Sequence, residues 1–320
     1  MTPFATHLAR HGPDASPRSW SLDAARSYCA RLTRSHYENF SVASVLLPRR
    51  LLPHFYPVYA YCRWADDLAD ETGGGHQSLG LLAWWRTELL EMYAGRPTHP
   101  VMVALRPTVE YYLIPPTPFL DLLVAFEQDQ HVNRYATYDD LLYYCRHSAN
   151  PVGRLVLYLA RSFDEDRAAY SDDICTALQL TNFWQDARRD LDDLNRVYLP
   201  AEDRRRFDYP DADLLARRFT PAFAELMKFQ VNRTRELFDR GRPLLSMVPS
   251  DVRPDIELFL RGGRAVLDRI EAIGFDVWSQ RPTVGKAAKA GLVLRAAGGR
   301  LWDWITGRST SRRPTGTASS

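Results

Sequence analysis

Apolar residues recur every three or four positions along most of this 320-residue chain, which is the period of an amphipathic α-helix. No stretch of strict apolar and polar alternation between turn residues indicates a β-strand. The pattern therefore predicts an all-α fold, with a kink at Asn150-Pro151 because proline removes a helix hydrogen bond. It predicts helices over 21–33, 53–70, 77–94, 99–113, 117–130, 138–161, 211–240 and 251–273, and a further helix that begins at about 167 and ends before 196.

No linker rich in Gly, Pro or Ser divides these helices, so we expect a single domain over residues 21–282. Residues 1–20 have no helical period and are expected to form a mobile N-terminal tail. Residues 283–320 are expected to form an amphipathic and then disordered C-terminal tail. The basic amphipathic part, 284–305, would either contact a membrane surface or cap the bundle.

The composition narrows the classes of function. A net charge of +2 provides no basic field that would recruit nucleic acid. The four cysteines lack CxxC spacing, which favours free thiols in a reducing compartment. The N-terminus lacks the apolar core of a secretory signal, and no run of about 18 apolar residues occurs. We therefore predict a cytoplasmic protein, and peripheral contact with the inner face of the membrane stays open.

Two segments of the chain each place oxygen-bearing side chains one helical turn apart, and we call these two sets the ladders. Asn182, Asp186 and Asp190 follow one another at four-residue steps, so an α-helix points all three to one side. Asp66 and Asp70 repeat this step far upstream. A surface helix usually offsets an acid with Lys or Arg one turn later, whereas here each acid meets another, at a cost of a few tenths of a kcal/mol. The alternative is a solvated acidic face, which the apolar neighbours of both sets disfavour.

If the two ladders face each other, four carboxylates share one cavity. At about 6 Å and an effective dielectric constant near 20, each pair repels by roughly 3 kcal/mol, so a cation must neutralise them. Oxygen donors without His or Cys favour Mg²⁺ over zinc or copper, and Mg²⁺ keeps positions open for a substrate phosphate. The sequence therefore predicts a diphosphate clamp in which Mg²⁺ is held by Asp66, Asp70, Asn182, Asp186 and Asp190.

The ladders form two DxxxD motifs, DDLAD and DARRD, the second lying between QLTNF and RVYLP. A third segment between them reads YCRHSANPVGR, from Tyr144 to Arg154. In these motifs the chain resembles the squalene and phytoene synthase family, from about His36 to Ala272. Its ENFSVAS, NFWQD and SANPVGR segments are most similar to the bacterial hydroxysqualene synthases of hopanoid biosynthesis. The resemblance implies a helical isoprenoid-synthase-type bundle around a central cavity, and a Mg²⁺-dependent transferase or lyase that joins or rearranges prenyl diphosphates head to head.

The resemblance also implies which residues contact the substrate. The family places a His-Ser-x-Ser-Phe segment near the diphosphate, and His36, Asn39 and Phe40 retain this pattern in part. Tyr144 corresponds to a substrate-contacting tyrosine. Just past the second motif, the guanidinium fork of Arg196 matches phosphate oxygens. We predict catalytic roles for Tyr59, Arg63, Tyr144, Asn150 and Gln185, and substrate binding by His36, Asn39, Phe40, Arg63, Arg196 and Tyr198.

Gln185 departs from the arginine that precedes the aspartate in many family members, and the loss of this cation indicates either a different diphosphate or a different fate for the carbocation. Together with Asn150 at the predicted kink, Gln185 is expected to hold a water beside the cavity. The leading hypothesis is therefore ionisation of presqualene diphosphate followed by capture of water, which gives hydroxysqualene without NADPH. Such an enzyme would be functionally linked to a presqualene diphosphate synthase.

Other activities are compatible with the same motifs. Squalene synthase, presqualene diphosphate synthase and phytoene synthase also act on prenyl diphosphates head to head, and farnesyl diphosphate is then a candidate substrate. Isoprenoid cyclases and head-to-tail elongases also use paired acidic motifs, although QLTNF and RVYLP fit the head-to-head enzymes better. A non-catalytic helical or lipid-binding scaffold would tolerate degraded ladders, whereas both ladders here are intact.

Overall fold

The structure is a computed structural model that describes residues 3–16, 18–35, 48–283 and 285. The predicted substrate residues His36, Asn39 and Phe40, and most of the predicted helix over 284–305, lie outside these ranges. The described residues form a helical bundle, which confirms the predicted all-α class. None of these helices is long and apolar enough to span a bilayer. In chain order they are α1 (Pro3–His11), α2 (Leu22–Ser35), α3 (Leu52–Asp70), α4 (Gly75–Tyr93), α5 (Pro100–Tyr112), α6 (Thr117–Gln128), α7 (Tyr138–Ser148), α8 (Asn150–Leu159), α9 (Glu165–Leu194), α10 (Ala201–Arg206), α11 (Asp211–Leu215), α12 (Pro221–Gly241), α13 (Leu244–Met247) and α14 (Arg253–Ala272).

The bundle buries two large apolar clusters. In the first, built mainly by α2 to α6, Trp64 and Trp85 stack with 5.3 Å between ring centroids. The second cluster contains Trp184 of α9 together with Phe223 and Phe238 of α12. α9 contacts α7, α8, α12, α13 and α14, so it lies at the centre of this half of the bundle. It therefore carries the second acidic ladder through the interior of the protein.

Local sequence signals set the start of α9 and the ends of both α9 and α3, the two helices that carry the ladders. α9 begins where Asp164 accepts a 2.8 Å hydrogen bond from a backbone N–H three residues later, a typical N-cap. It ends at Asn195, because asparagine tolerates the left-handed backbone found there (φ 50°). After α3, the glycines at 73–74 adopt φ angles of 95° and 77° that other residues resist. Asp70 and Asp190 thus lie near carboxyl ends of helices, where the helix dipole favours a bound cation.

The prediction of a mobile tail over residues 1–20 is wrong for α1. Phe4 is buried, and its ring packs edge-on against Trp64 of α3 with 5.1 Å between centroids. His7 forms a 3.0 Å hydrogen bond with the hydroxyl of Tyr28 on α2. In the stretch PFATHLARH, Phe4 and Leu8 stand one helical turn apart and both pack in the first apolar cluster, a short amphipathic pattern that the prediction did not take into account. Contacts with α2 and α3 hold α1 in place.

We expect Phe4→Ala to lower the free energy of unfolding by about 3 kcal/mol, because it deletes a buried ring and leaves a cavity against Trp64. Chemical denaturation followed by circular dichroism measures this change. Thr6→Ala, at an exposed position of the same helix, is the control and should change the stability by less than about 0.5 kcal/mol. Equal stabilities of the two variants would contradict the packing of α1.

Two of the predicted helices are each divided in the structure. The kink predicted at Asn150-Pro151 is confirmed as a break at Ala149, between α7 and α8. The prediction of one helix over 211–240 is wrong, because residues 216–220 separate α11 from α12. Arg217 has a left-handed backbone there (φ 51°). Thr220 then starts α12 by accepting a 3.2 Å hydrogen bond from a backbone N–H three residues later.

Candidate active site

Helices α3, α6, α7 and α9 enclose a cavity of about 300 Å³ that is lined by carboxylates. Asp66 and Asp70 enter it from α3, and Asn182 and Asp190 enter it from α9. Asp129, directly after α6, adds another carboxylate. The structure thus brings residues of both predicted ladders to one space, which we call the acidic cavity.

Arg196 and Tyr198 reach the acidic cavity because of the way in which the chain leaves α9. The backbone N–H of Arg196 donates to the carbonyl of Asp190 at 2.8 Å, and that of Val197 donates to the carbonyl of Asn133 at 2.9 Å. These bonds hold the segment extended, and alternate side chains of an extended segment point to opposite sides. Arg196 and Tyr198 therefore line the cavity together, whereas Val197 does not.

Arg196 lies between two acids of the cavity. Its Nη1 is 3.6 Å from Asp129 Oδ2, and its Nη2 is 4.0 Å from Asp70 Oδ1. The hydroxyl of Tyr144 donates to the same Asp129 oxygen at 3.0 Å. Sequence reasoning missed Asp129, because this residue belongs to neither DxxxD motif. Its only sequence signal is its place in a polar and aromatic stretch just before YCRHSANPVGR.

Partial burial raises the pKa of several carboxylates of the acidic cavity. Burial raises the pKa of Asp66 to about 7, although Arg63 opposes the shift, and burial raises the pKa of Asp129 to about 6. Burial, with the neighbouring charge of Asp186, raises the pKa of Asp190 to about 7. A compensating cation would favour the ionised forms of these acids at neutral pH.

The donor set of the acidic cavity fits Mg²⁺. The cavity offers oxygen atoms and lacks His and Cys, and the buried Asp190 Oδ2 and Asp129 Oδ1 have no hydrogen-bond partner among the described residues. Within those residues, no three His, Cys, Asp or Glu side chains are close enough together to hold an ion. Arginines contact several of the acids instead. The residues that would hold the ion are Asp66, Asp70, Asn182 and Asp190.

Aromatic rings form the wall beside the carboxylates. Phe183 and Tyr198 stack with 3.6 Å between ring centroids, and Tyr144 lies 6.1 Å from Phe183 and 6.0 Å from Tyr198. Leu122 and Ala125 of α6 extend this wall. An aromatic face stabilises a nearby cation by about 0.5–2 kcal/mol, so the wall suits a substrate that becomes positively charged.

Residues 33–288 match the family model described as squalene/phytoene synthase. The chain belongs to the squalene/phytoene synthase family. It is 30% identical over 269 residues to the phytoene synthase of Arthrospira platensis, a match that covers 80% of this chain and 87% of that protein. It is 44% identical to the crystal structure of squalene synthase HpnC from Alicyclobacillus acidocaldarius, with a TM-score of 0.77 over 79% of this chain and 95% of that one. A dehydrosqualene synthase solved with a ligand is 24% identical and shares the fold, with a TM-score of 0.77 over 88% of this chain and 98% of that one.

In this squalene/phytoene synthase family member, the first DxxxD motif pairs with an arginine of its own helix. Nη1 of Arg63 lies 3.1 Å from Asp66 Oδ2, and its Nη2 pairs with the buried Asp67. Tyr59 precedes Arg63 by about one turn. Neither Tyr59 nor Arg63 lines the acidic cavity, which differs from their predicted catalytic roles. Arg63 contacts the cavity acid Asp66 from outside the cavity wall.

Asn150 and Gln185 also lie outside the wall of the acidic cavity, which differs from the prediction that they hold a water there. The Oδ1 atom of Asn150 accepts a 2.9 Å hydrogen bond from the hydroxyl of Thr176 and so joins α8 to α9. Gln185 donates to the carbonyl of Pro282. Ser148 lines the cavity instead, and its buried hydroxyl has no hydrogen-bond partner in the described part of the chain.

Asp186, the first acid of the second DxxxD motif, is held by Arg281. The Nη2 of Arg281 donates to Asp186 Oδ2 at 3.0 Å, and its Nε donates to the other carboxylate oxygen. Asp186 lines a separate cleft of about 260 Å³ beneath residues 277–281, whereas Asp190 lines the acidic cavity. This arrangement differs from the prediction that Asp186 and Asp190 face one metal together.

Proposed function

We propose that this member of the squalene/phytoene synthase family ionises presqualene diphosphate and captures water on the carbocation, which gives hydroxysqualene. The observation that carries the proposal is the acidic cavity, in which Asp66, Asp70 and Asp190 face Arg196 beside an aromatic wall. Its 44% identity to a squalene synthase supports chemistry on prenyl diphosphates joined head to head.

The polar side of the cavity would bind the diphosphate. Mg²⁺, when bound to Asp66, Asp70, Asn182 and Asp190, supplies positive charge that stabilises the leaving diphosphate. Arg196 presents a rigid fork of donors that matches phosphate oxygens, and it already faces the cavity with its guanidinium 3.6 Å from Asp129. Asp129 and Tyr144 orient this guanidinium, because the tyrosine hydroxyl holds the carboxylate that the arginine contacts.

The apolar side would hold the carbocation once the diphosphate has left. The rings of Phe183, Tyr198 and Tyr144 offer electron-rich faces to this carbocation. Cleavage of the C–O bond leaves its electron pair on the diphosphate and a cyclopropylcarbinyl cation on the hydrocarbon. The cyclopropane bonds of this cation must shift and open, which moves the positive charge to a carbon of an open chain. Water adds its oxygen to that carbon and gives a proton to the released diphosphate, so the product is an open-chain alcohol and no reductant is consumed.

Ser148 is the residue that would place this water. A serine in the last turn of a helix usually bonds a carbonyl of the preceding turn, yet the Ser148 hydroxyl is buried without any partner among the described residues. It lies directly before the break at Ala149, which ends α7. A buried hydroxyl with free donor and acceptor capacity is suited to hold a water that finds its other partners among the polar groups of the cavity.

We expect Ser148→Ala to raise the share of deprotonated hydrocarbon products at least about threefold, because loss of one ordering hydrogen bond of about 1 kcal/mol slows capture of water relative to loss of a proton. Gas chromatography with mass spectrometry of the products measures this share. Ser171→Ala, which removes another buried serine that does not line the acidic cavity, should leave it unchanged. An unchanged product ratio in Ser148→Ala would remove Ser148 from the mechanism.

A second candidate function is a complete head-to-head condensation that yields phytoene or squalene, and 30% identity to a phytoene synthase favours it. Incubation with farnesyl diphosphate and with presqualene diphosphate, each with and without NADPH, separates the two candidates by mass spectrometry. Our proposal expects an alcohol from presqualene diphosphate without NADPH. Squalene formed only with NADPH, or a hydrocarbon as the main product, would favour the second candidate.

The proposed substrate and product also imply a cellular setting. Presqualene diphosphate must be supplied by an enzyme that joins two farnesyl diphosphates, so we propose a functional link to a presqualene diphosphate synthase. Hydroxysqualene is insoluble in water, and we propose that the enzyme works in the cytoplasm with peripheral contact at the inner membrane face.

A further inference from the structure

After α14 has ended, the chain runs back along the side of α9. Residues 277–282, which we call the C-terminal strap, are anchored by the buried Trp278, whose ring lies 5.1 Å from that of Phe223. Arg188 of α9 donates to the carbonyl of Trp278 at 2.8 Å, and Gln185 donates to the carbonyl of Pro282. Two α9 side chains thus hold the strap beside the second DxxxD motif.

Arg281, near the end of the strap, occupies both oxygens of the Asp186 carboxylate. The Asp186 side chain is 8% exposed and that of Arg281 is 50% exposed, so the acid is fixed in the interior while its partner has a route to solvent. Asn182 and Asp190, one turn before and after Asp186, line the acidic cavity. Arg281 of the strap therefore pairs with Asp186, the middle member of the second ladder, while the two outer members face the acidic cavity.

A carboxylate whose two oxygens are both taken by a guanidinium fork has no free donor oxygen in that direction for a metal ion. We propose that Arg281 is a built-in counter-ion that competes with a divalent cation for Asp186, so that metal binding releases the end of the strap. This inference rests on the metal clamp of the proposed function and extends that clamp to Asp186, which Arg281 holds in the separate cleft. The guanidinium gives Asp186 a partner before a metal arrives, because an unpaired buried carboxylate is strongly disfavoured.

The release is confined to the end of the strap. Trp278 and Val277 are buried in the second apolar cluster and stay in place, whereas among the described residues Arg281 is attached through Asp186 and the neighbouring carbonyl that Gln185 holds. Once Arg281 leaves, Asp186 would be able to hold a metal together with Asn182 and Asp190. The same movement frees a guanidinium at the rim of the site.

Binding of Mn²⁺, followed by electron paramagnetic resonance of the free ion, tests the competition without any turnover. We expect Arg281→Gln to lower the apparent Kd for Mn²⁺ about tenfold, which corresponds to removal of a competing state populated at about 90%. The matched control is Arg189→Gln, which removes the same charge from α9 but breaks only a 3.5 Å exposed pair with Asp193. The control should change the Kd by less than about threefold.

Equal effects of the two substitutions would overturn the proposal, because the gain would then reflect net charge alone. Hydrogen exchange of the wild-type protein gives a second readout: saturating Mg²⁺ should speed exchange of the backbone amides of residues 279–281 and 283 and leave those of residues 277–278 unchanged. Slower or unchanged exchange at residues 279–281 and 283 would also contradict release. If Mn²⁺ binds the wild type and Arg281→Gln does not lower the apparent Kd, the competition by Arg281 is contradicted but the metal clamp is not. If no variant binds Mn²⁺, the metal clamp itself is contradicted.

Discussion

Asp66→Asn and Asp190→Asn should each lower kcat by about a thousandfold, while the helical circular dichroism signal stays intact. Each change removes one anionic oxygen from the acidic cavity, and electrostatic groups aimed at a developing charge are worth about 10²–10³ in rate for one donor and more where an ion is lost with it. Because burial raises the pKa of both acids to about 7, a neutral amide should leave the free energy of unfolding unchanged or increase it. Steady-state kinetics and chemical denaturation measure the two effects.

The matched control for these substitutions is Asp193→Asn. Asp193 lies on the same helix as Asp190, but its side chain is 64% exposed and pairs only with Arg189 within the described residues. Its replacement should change kcat by less than about twofold, as is usual for an exposed ion pair. Losses below about tenfold in both Asp66→Asn and Asp190→Asn would favour the alternative reading of the ladders as solvated acidic faces.

Arg196→Gln should lower kcat/KM about a hundredfold and also lower the free energy of unfolding by about 2–3 kcal/mol. The guanidinium is the cation that lies nearest to the buried Asp129, so its loss leaves this acid with the hydroxyl of Tyr144 alone, whereas Asp70, which is 52% exposed, keeps its contact with solvent. The same loss removes a donor for the diphosphate. Kinetics at varied substrate concentration, together with denaturation in the absence of Mg²⁺, separate the catalytic effect from the structural one.

Arg205→Gln is the control for Arg196→Gln, because it removes an exposed arginine of α10 that does not line the cavity. It should change neither kcat/KM nor stability by more than about 0.5 kcal/mol. If Arg196→Gln destabilises the protein but retains full kcat/KM, Arg196 serves only to neutralise the acids. That result would remove it from diphosphate binding.

Much of the fold could be predicted because its signals are local. Helical periodicity placed α3 and α9, and the four-residue steps of Asp66 to Asp70 and of Asn182 to Asp190 placed carboxylates on one side of each helix. The kink at Asn150-Pro151 followed from the chemistry of proline, which acts within one turn. The family motifs coincide with these same segments.

The rest of the site depends on contacts between segments far apart in sequence. Arg281 reaches Asp186 across 95 positions, and no spacing or composition within either segment indicates that pairing. Asp129 joins the site through Tyr144 and Arg196, so its role is visible only once α6, α7 and the segment after α9 are assembled. Local pattern can show which side chains share a helix face, but it cannot show which arginine meets which acid.

Contacts with distant residues also explain why the side chains of Asn150 and Gln185 do not line the acidic cavity. Both have polar side chains suited to holding water, and the sequence placed them near a helix break and a metal motif. Asn150 instead accepts a hydrogen bond from the hydroxyl of Thr176, and Gln185 donates one to the carbonyl of Pro282. The hydroxyl of Ser148, two residues before Asn150, has no hydrogen-bond partner among the described residues.

The most direct test of the proposed reaction is a single incubation of the protein with presqualene diphosphate and Mg²⁺ in H₂¹⁸O, without NADPH. Mass spectrometry of the product reports where its oxygen came from. We predict a hydroxysqualene that carries ¹⁸O from the solvent. An alcohol without the label, or no product until NADPH is added and squalene then appears, would contradict it.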